Sequence, residues 1–113
     1  MAEAGGRELG FDQMEENVAR VLLLHPKDNV AVALDDIATK SVVAVLGAET
    51  PLRLTAQQGI QFAHKLAMRP IAAGEAILKY GIPVGFATAP VAAGEWVHTH
   101  NVGSYYAEKK EAK

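Results

Sequence analysis

The amino-acid sequence predicts a small all-β domain, and three observations support this. Short runs of aliphatic and β-branched residues are separated by turn-forming Gly, Pro, Asp and Asn residues, a pattern typical of strands joined by tight turns. One turn-like segment recurs along the chain. No segment has the sustained 3.6-residue apolar period of a strong amphipathic helix. The predicted strands occupy residues 18–24, 30–34, 41–46, 52–54 and two stretches within 76–87.

Each predicted element rests on its local residues. The first run (VARVLLL, 18–24) is rich in β-formers and stops at His25, which is expected only to end the strand. Residues 27–29 (KDN) are expected to turn, because Asp and Asn side chains bond their own backbone. A weak helical period at 55–68 is less favoured than an extended chain. In the last hairpin the turn is expected at residues 81–83 (GIP).

An internal repeat is the most informative feature of the sequence. Residues 70–77 (PIAAGEAI) recur twenty residues later at 90–97 (PVAAGEWV), and more faintly upstream at 36–43 (DIATKSVV). Glycine supplies the positive φ that such a tight turn needs. Glu75 and Glu95 hold matching positions, which favours a turn-stabilising role over acid–base catalysis. The repeat therefore predicts short strands linked by one recurring type of turn.

Charge and composition exclude several classes of function. The chain has 11 basic and 13 acidic residues, a net charge of −2, which argues against a nucleic-acid-binding protein. It has no cysteine, so disulfides, thiolate zinc sites and cysteine nucleophiles are excluded, and a cytoplasmic location is favoured. No apolar run is long enough to span a membrane, and the first residues do not resemble a signal peptide.

The length of 113 residues predicts one domain with one modest core. Residues 1–17 are expected to form a flexible segment, 18–103 the folded domain and 104–113 a charged, flexible tail. Twenty alanines and few aromatic residues make the predicted core small-residued. Such a domain has little room to enclose a substrate, so an enzymatic role would need a partner.

The segment HTHN (98–101) is the sharpest candidate for chemistry. If residues 95–101 form a strand, side chains alternate, and Trp96, His98 and His100 share one face. Two imidazoles at i and i+2 could then bind one metal ion from the same side, with a third ligand supplied from elsewhere. The alternative is a pair of exposed histidines that bond only water.

Two further pairs of residues are candidates for substrate binding. Lys65 could hold an anionic substrate beside His64 as a ligand or proton carrier, but from the residues alone a solvated lysine and a half-buried histidine are the favoured interpretation. Lys79 with Tyr80 could clamp a carboxylate, or they could be a cation on an edge strand and an aromatic residue that fills the core. The acidic pair at 35–36 could bind a hard cation, but a turn role is favoured.

Six segments of the chain together resemble a known family. Their order and spacing are similar to those of the N-terminal SAF domain of the altronate/galactarate dehydratase (UxaA-like) family, over about residues 20–102. The resemblance implies a β-clip fold, a compact β-structure with repeated turns and bent hairpins. The segments are DNVAVAL (28–34), HK (64–65), IAAGE (71–75), KYG (79–81), PVG (83–85) and GEWVHTHN (94–101).

The resemblance also implies a function. Members are metal-dependent hydro-lyases that remove water from sugar acids, so this chain is expected to be a small subunit, inactive alone, that completes an active site with a large catalytic subunit. The implied cofactor is a divalent metal, iron(II), with manganese or magnesium as alternatives, and the chain could also self-associate. The implied catalytic residues are His64, His98 and His100, with His98 and His100 also as metal ligands; Lys65, Lys79, Tyr80 and Asn101 would bind substrate.

Departures from the family pattern and rival functions remain open at this point. Ala63 stands where the family usually has glycine, Arg69-Pro70 where an acidic or small residue often precedes the repeat, and Trp96 where histidine is common. One rival function is the small subunit of sulfolactate sulfo-lyase, which shares these motifs. The other is a sugar-acid-binding or structural module without chemistry of its own.

Overall fold

The computed structural model describes residues 18–105, and in them the chain folds as nine short strands in two sheets. This confirms the all-β prediction, and the expectations for residues 1–17 and 106–113 lie outside the described residues. No helix in the described part is long and apolar enough to cross a membrane. The strands are β1 (Ala19–Leu22), β2 (Val30–Ala33), β3 (Val42–Leu46), β4 (Leu52–Thr55), β5 (Lys65–Ala67), β6 (Ala76–Lys79), β7 (Ile82–Ala87), β8 (Trp96–Val97) and β9 (Val102–Gly103).

The larger sheet has the strand order β4-β3-β1-β2-β5-β8, and the smaller one has the order β6-β7-β9. Strands β1 and β3 run parallel, whereas the other paired strands are antiparallel. The first four strands lie where the sequence predicts them. The extended interpretation of residues 55–68 is confirmed, since this stretch contains β5 and no helix.

The ribbon β2–β5–β8 forms a wall between two buried clusters. Successive side chains on a strand point to opposite faces, so neighbouring residues of the ribbon enter different clusters. The sequence predicts one modest core, but the structure has two buried clusters, because alternate residues of this ribbon are buried on opposite faces. The first cluster takes Ala31, Leu66 and Trp96 from the wall, and the second takes Val30, Ala67 and Val97.

One five-residue turn occurs four times in the described chain. In each copy position 1 is a buried aliphatic residue, position 4 has a φ between +65° and +85°, and the N–H of position 5 donates to the C=O of position 2. The position-1 residues pair by reciprocal backbone hydrogen bonds, Ile37 with Ile60 and Ile71 with Val91. The predicted repeat is therefore confirmed, and a fourth copy that the sequence does not reveal is added. The turns are residues 37–41, 60–64, 71–75 and 91–95.

A buried alanine closes each of these turns. The N–H of turn position 4 donates to the alanine C=O, and the alanine N–H donates to the C=O of turn position 5. These alanines are at most 1% exposed, so no larger side chain has space there. Part of the high alanine content is thus required by the turns. The four alanines are Ala33, Ala56, Ala67 and Ala87.

The predicted turn-stabilising role of the two repeat glutamates is confirmed. Glu75 Oε1 accepts the N–H of Ala72 at 2.9 Å, and Glu95 Oε1 accepts the N–H of Ala92 at 2.7 Å. The Ala72 N–H, followed by the side chain of Arg69, lowers the pKa of the Glu75 carboxyl from its usual value. Both carboxylates thus stabilise their own turns, and Glu75 Oε2 also pairs with Arg69 at 2.8 Å.

Ala63 holds the left-handed conformation that glycine adopts at this position in the two strong copies. Its φ is +74°, close to the +85° of Gly74. We expect Ala63→Gly to raise the free energy of unfolding by about 0.5–1 kcal/mol, because relief of left-handed strain exceeds the entropy gained by the unfolded chain. The midpoint of urea unfolding measures this change.

The matched control is the reverse substitution in a sister turn. A Cβ added at Gly74 meets nothing within 4 Å, so Gly74→Ala introduces the left-handed strain without a clash. We expect it to lower the free energy of unfolding by about 1 kcal/mol. An unchanged or lower midpoint for Ala63→Gly would show that residue 63 carries no strain.

The hairpin β6–β7 corrects a predicted turn. The sequence predicts the turn at residues 81–83, whereas the structure places it at Tyr80–Gly81, with Pro83 already within β7. Tyr80 and Gly81 have φ values of +58° and +74°, the pattern of a two-residue hairpin turn that matches the strand twist. The Asp28 carboxylate accepts both of their N–H groups, at 2.9 and 2.7 Å.

The chain turns just before β2, where the Asp28 N–H donates to His25 O at 3.0 Å, but the predicted bonding of the Asp28 and Asn29 side chains to their own backbone is wrong. The side chain of Asp28 bonds the distant hairpin turn, and that of Asn29 bonds β6: its Nδ2 donates to Ala76 O and its Oδ1 accepts the N–H of Leu78, both at 2.8 Å. Asn29 is fully buried. These two side chains therefore connect the larger sheet to the smaller one.

Candidate functional site

The HTHN segment forms a turn after β8, so the predicted strand over residues 95–101 is wrong beyond Val97. Asn101 closes the turn: its N–H donates to His98 O at 3.0 Å, and its Oδ1 accepts the N–H of His98 at 2.9 Å. Its Nδ2 donates to Trp96 O at 2.8 Å. The asparagine side chain satisfies backbone groups that a continued strand would have paired with a neighbour.

Trp96 is the centre of a cluster of rings. His98 stacks on the indole with centroids 5.1 Å apart and planes 10° apart, and His100 contacts the same indole at 4.8 Å. His64, at the end of the second turn, approaches His98 at 5.0 Å, and its Nδ1 accepts a hydrogen bond from Trp96 Nε1 at 3.1 Å. The structure thus brings together the three histidines that are predicted site residues. They surround Trp96, which is not among the predicted site residues.

A basic hollow of about 390 Å³ lies between the two sheets. Lys65 comes from β5, Lys79 from the end of β6 and His98 from the turn after β8, so residues distant in sequence meet here. Burial, followed by repulsion from Lys79, lowers the pKa of Lys65 from its usual value. An anion in the hollow would relieve that repulsion. The other lining residues are Ile77, Val84, Thr99, Val102, Gly103 and Ser104.

A second hollow, of about 320 Å³, lies on the other side of His98. His64, Trp96 and His98 line it together with Gly59 and Gln61. The basic hollow belongs to the face of the wall that carries Lys65, and this second hollow to the face that carries Trp96. His98 therefore borders both and is the residue that connects them.

The remaining predicted site residues lie outside the two hollows. Tyr80 is 61% exposed at the hairpin tip, so the alternative in which it fills the core is wrong, and Lys79 Nζ lies 5.9 Å from its ring centroid. His100 is exposed on the indole of Trp96. The amide of Asn101 already serves its own turn, and the predicted contact of Asn101 with a substrate hydroxyl stays a prediction.

The structure adds Trp96 and Thr99 to the predicted site. Trp96 stands at a repeat position where the sister copy has Ala76, and this difference, together with its expected place on one face with His98 and His100, is a sequence signal that could single it out. Thr99 has no such signal, because its place in the lining depends on the turn that follows β8. The acidic pair at 35–36 has protein partners: Asp35 pairs with Arg20, and Asp36 accepts the N–H of Phe62.

The donor set for a metal is incomplete within residues 18–105. In that range no group of three or more His, Cys, Asp or Glu side chains is placed to hold a metal ion. His64 offers no lone pair at Nδ1, because that nitrogen accepts the indole hydrogen bond. Any metal shared by His98 and His100 would need further ligands from outside these residues.

Comparison with known proteins identifies relatives for most of the described chain. The model of a family described as altronate/galactarate dehydratase SAF domain matches residues 19–105. Altronate dehydratase of Escherichia coli strain K12 is 45% identical over 78 residues, which are 69% of this chain and 15% of that protein. Altronate dehydratase of Bacillus subtilis strain 168 is 33% identical over the same length, again 15% of that protein. The chain therefore spans only a small part of these dehydratases.

A third relative is a subunit of a different lyase. The (2R)-sulfolactate sulfo-lyase subunit alpha of Chromohalobacter salexigens is 34% identical over 58 residues, which are 51% of this chain and 62% of that subunit. Two lyases that expel different groups thus share this type of domain.

Proposed function

We propose, from the premise that this chain belongs to the altronate/galactarate dehydratase SAF domain family, that it contributes part of the active site of a sugar-acid hydro-lyase. The observation that carries the proposal is the hollow in which Lys65, Lys79 and His98 meet. A large catalytic region of the same family supplies the rest of the site. The domain alone is expected to be inactive, because the hollow is open and contains no carboxylate base among its lining residues.

In this proposal the two lysines hold the substrate carboxylate. Charge-assisted hydrogen bonds from ammonium groups to a carboxylate are about twice as strong as neutral ones. The low dielectric that lowers the pKa of Lys65 also strengthens its attraction to an anion. Tyr80 lies at the rim beside Lys79 and would meet the substrate only after the partner closes over the hairpin tip.

The proposed reaction is a β-elimination from a 2,3-dihydroxy acid. A base on the large region takes the proton from C2, the electrons of that C–H bond form the C2–C3 double bond, and the C3–O bond breaks. His98 gives a proton to the departing hydroxyl, so that it leaves as water. The resulting enol then becomes the 2-keto-3-deoxy acid. His98 suits this role because it borders the hollow that holds the carboxylate.

We propose a divalent metal only as an ion that residues of this chain would help to bind. When bound, such an ion would stabilise the enolate-like charge that develops beside the carboxylate. His98 and His100 would each offer an imidazole to it, and the large region would supply the other ligands. Iron(II) remains the metal expected from the family resemblance, with manganese or magnesium as alternatives. The cytoplasmic location expected from the sequence also stays a prediction.

Sulfolactate sulfo-lyase is the second candidate function. The similarity to a separate alpha subunit, of which the chain covers 62%, favours it specifically. The basic hollow does not separate the two reactions, since both substrates bring an anionic carboxylate. The identity of 45% to altronate dehydratase favours the sugar-acid reaction.

Reconstitution with a large chain of the same family distinguishes these functions. We expect the complex to form 2-keto-3-deoxy acid from altronate or galactarate, measured by the carbonyl product, and to release no sulfite from (2R)-sulfolactate. The chain alone and the large chain alone serve as controls and are expected to be inactive. Sulfite release without dehydration would assign the domain to the sulfo-lyases, and full activity of the chain alone would contradict the shared site.

A further inference from the structure

His64 differs from its counterparts at position 5 of the sister turns. Glu75 and Glu95 return their carboxylates to the N–H of position 2 in their own turns, and Ser41 bonds Ala38 O. His64 instead turns its Nδ1 to the indole of Trp96, at 3.1 Å. Among the four turns in the described chain, this one therefore has its fifth side chain directed at another element.

The indole that contacts His64 is held firmly from several sides. The backbone N–H of Trp96 donates to Gln58 Oε1 at 2.9 Å, and its C=O accepts from Asn101 Nδ2 at 2.8 Å. The side chain packs against the first buried cluster and stacks on His98. These contacts fix the direction of the Nε1–H bond.

This geometry determines which nitrogen of His64 carries hydrogen. An indole N–H can only donate, so Nδ1 of His64 must accept. A neutral imidazole that accepts at Nδ1 carries its hydrogen at Nε2. Nε2 is then a hydrogen-bond donor and has no lone pair for a metal or for a proton.

We propose that Trp96 is a positioning residue that fixes His64 as the Nε2–H tautomer, so that His64 donates a hydrogen bond to a substrate oxygen in the second hollow. The oxygen would belong to a hydroxyl or carboxylate of the sugar acid, and this part rests on the proposed function. The tautomer itself does not depend on that function. His64 is accordingly a hydrogen-bond donor, and other groups act as the base and as the metal ligands.

Nitrogen NMR of the full 113-residue chain tests the tautomer without substrate or partner. At pH 8.5, where an ordinary imidazole is neutral, we expect the Nε2–H form of His64 and a coupling across the bond from Trp96 Nε1 to His64 Nδ1. In Trp96→Phe the ratio of Nε2–H to Nδ1–H forms is expected to fall about fivefold, the effect of losing one ordinary hydrogen bond. The control Glu95→Gln keeps the acceptor for Ala92 and should leave the ratio unchanged.

Three results would overturn the assignment. One is an Nδ1–H tautomer in the unaltered chain, which needs no variant to observe. The second is an unchanged tautomer ratio in a folded Trp96→Phe chain. The third is absence of the coupling across the hydrogen bond from Trp96 to His64.

Kinetics of the reconstituted complex test the donor role separately. The amide of glutamine can donate from near the position of Nε2, whereas leucine cannot, so His64→Gln should retain more activity than His64→Leu. We expect kcat to fall about 100-fold for His64→Leu, as when an oxygen-binding donor is removed, and less than about tenfold for His64→Gln. Equal losses would contradict a pure donor. An inactive unaltered complex would instead refute the proposed function and leave the tautomer result standing.

Discussion

Replacing His98 with alanine is expected to lower kcat of the reconstituted dehydratase by about 10²- to 10⁴-fold, the range typical of a lost general acid. The reason is its position: His98 borders both hollows and is the imidazole that shares the basic hollow with Lys65 and Lys79. KM should change less than kcat, because the lysines that bind the carboxylate remain. Steady-state kinetics with a sugar acid measure both constants.

Two variants serve as comparisons for His98→Ala. His100→Ala is expected to lose less activity, because His100 is exposed and lines neither hollow, although it contacts Trp96. Glu49→Gln, on the exposed loop after β3, is expected to behave like the unaltered chain. Metal analysis of each complex separates loss of a ligand from loss of a proton donor. If the double variant His98→Ala with His100→Ala keeps full turnover, the domain is a binding or structural module.

Local patterns were sufficient to predict the repeated turns. Gly74 and Gly94 mark positive φ directly, and the matching Glu75 and Glu95 show that both turns are capped alike. The copy at 60–64 escapes notice because Ala63 and His64 replace the Gly-Glu signal while the backbone keeps the same hydrogen bonds. Hydrogen bonds between backbone groups do not require particular side chains. The sequence therefore does not indicate this copy, and only the structure shows it.

The members of the site are predictable only in part, and their arrangement is not predictable. His64, Lys65, Lys79 and His98 follow from the motif series, and the structure brings them to two adjoining hollows. Their proximity depends on pairings between segments far apart in the chain, which no local period encodes. The predicted strand after Trp96 fails for a local reason: the Asn101 side chain competes for the backbone groups that a strand would use.

Asn29 controls whether the two halves of the basic hollow stay together. Lys65 lies on β5, which pairs with β2, the strand that Asn29 precedes, whereas Lys79 ends β6 in the other sheet. Asn29 joins them through Ala76 O and the N–H of Leu78, with no exposure to solvent. The adjacent Asp28 adds the hydrogen bonds to the hairpin turn. The distance between the two lysines therefore depends on buried polar contacts.

Asn29→Ala is expected to lower the free energy of unfolding by about 3 kcal/mol, because it removes two hydrogen bonds between a fully buried side chain and partly buried backbone groups. Asp28→Asn is the milder variant: it places an NH₂ group against one backbone N–H and is expected to cost about 1–2 kcal/mol. Ser41→Ala removes a side-chain bond from a partly exposed turn and is the matched control, with a loss of about 0.5–1 kcal/mol. Urea unfolding of the four proteins gives these values.

The same variants connect stability to function. Because Asp28→Asn loosens the hairpin that ends β6, Lys79 should be held less closely to Lys65, and KM for the sugar acid should rise while Ser41→Ala leaves it unchanged. If Asn29→Ala unfolds at the same urea concentration as the unaltered chain, the apolar cluster and the hydrogen bonds of Asp28 hold the two sheets together without Asn29. If Asp28→Asn is destabilised with an unchanged KM, the lysine on β6 does not contact the substrate carboxylate.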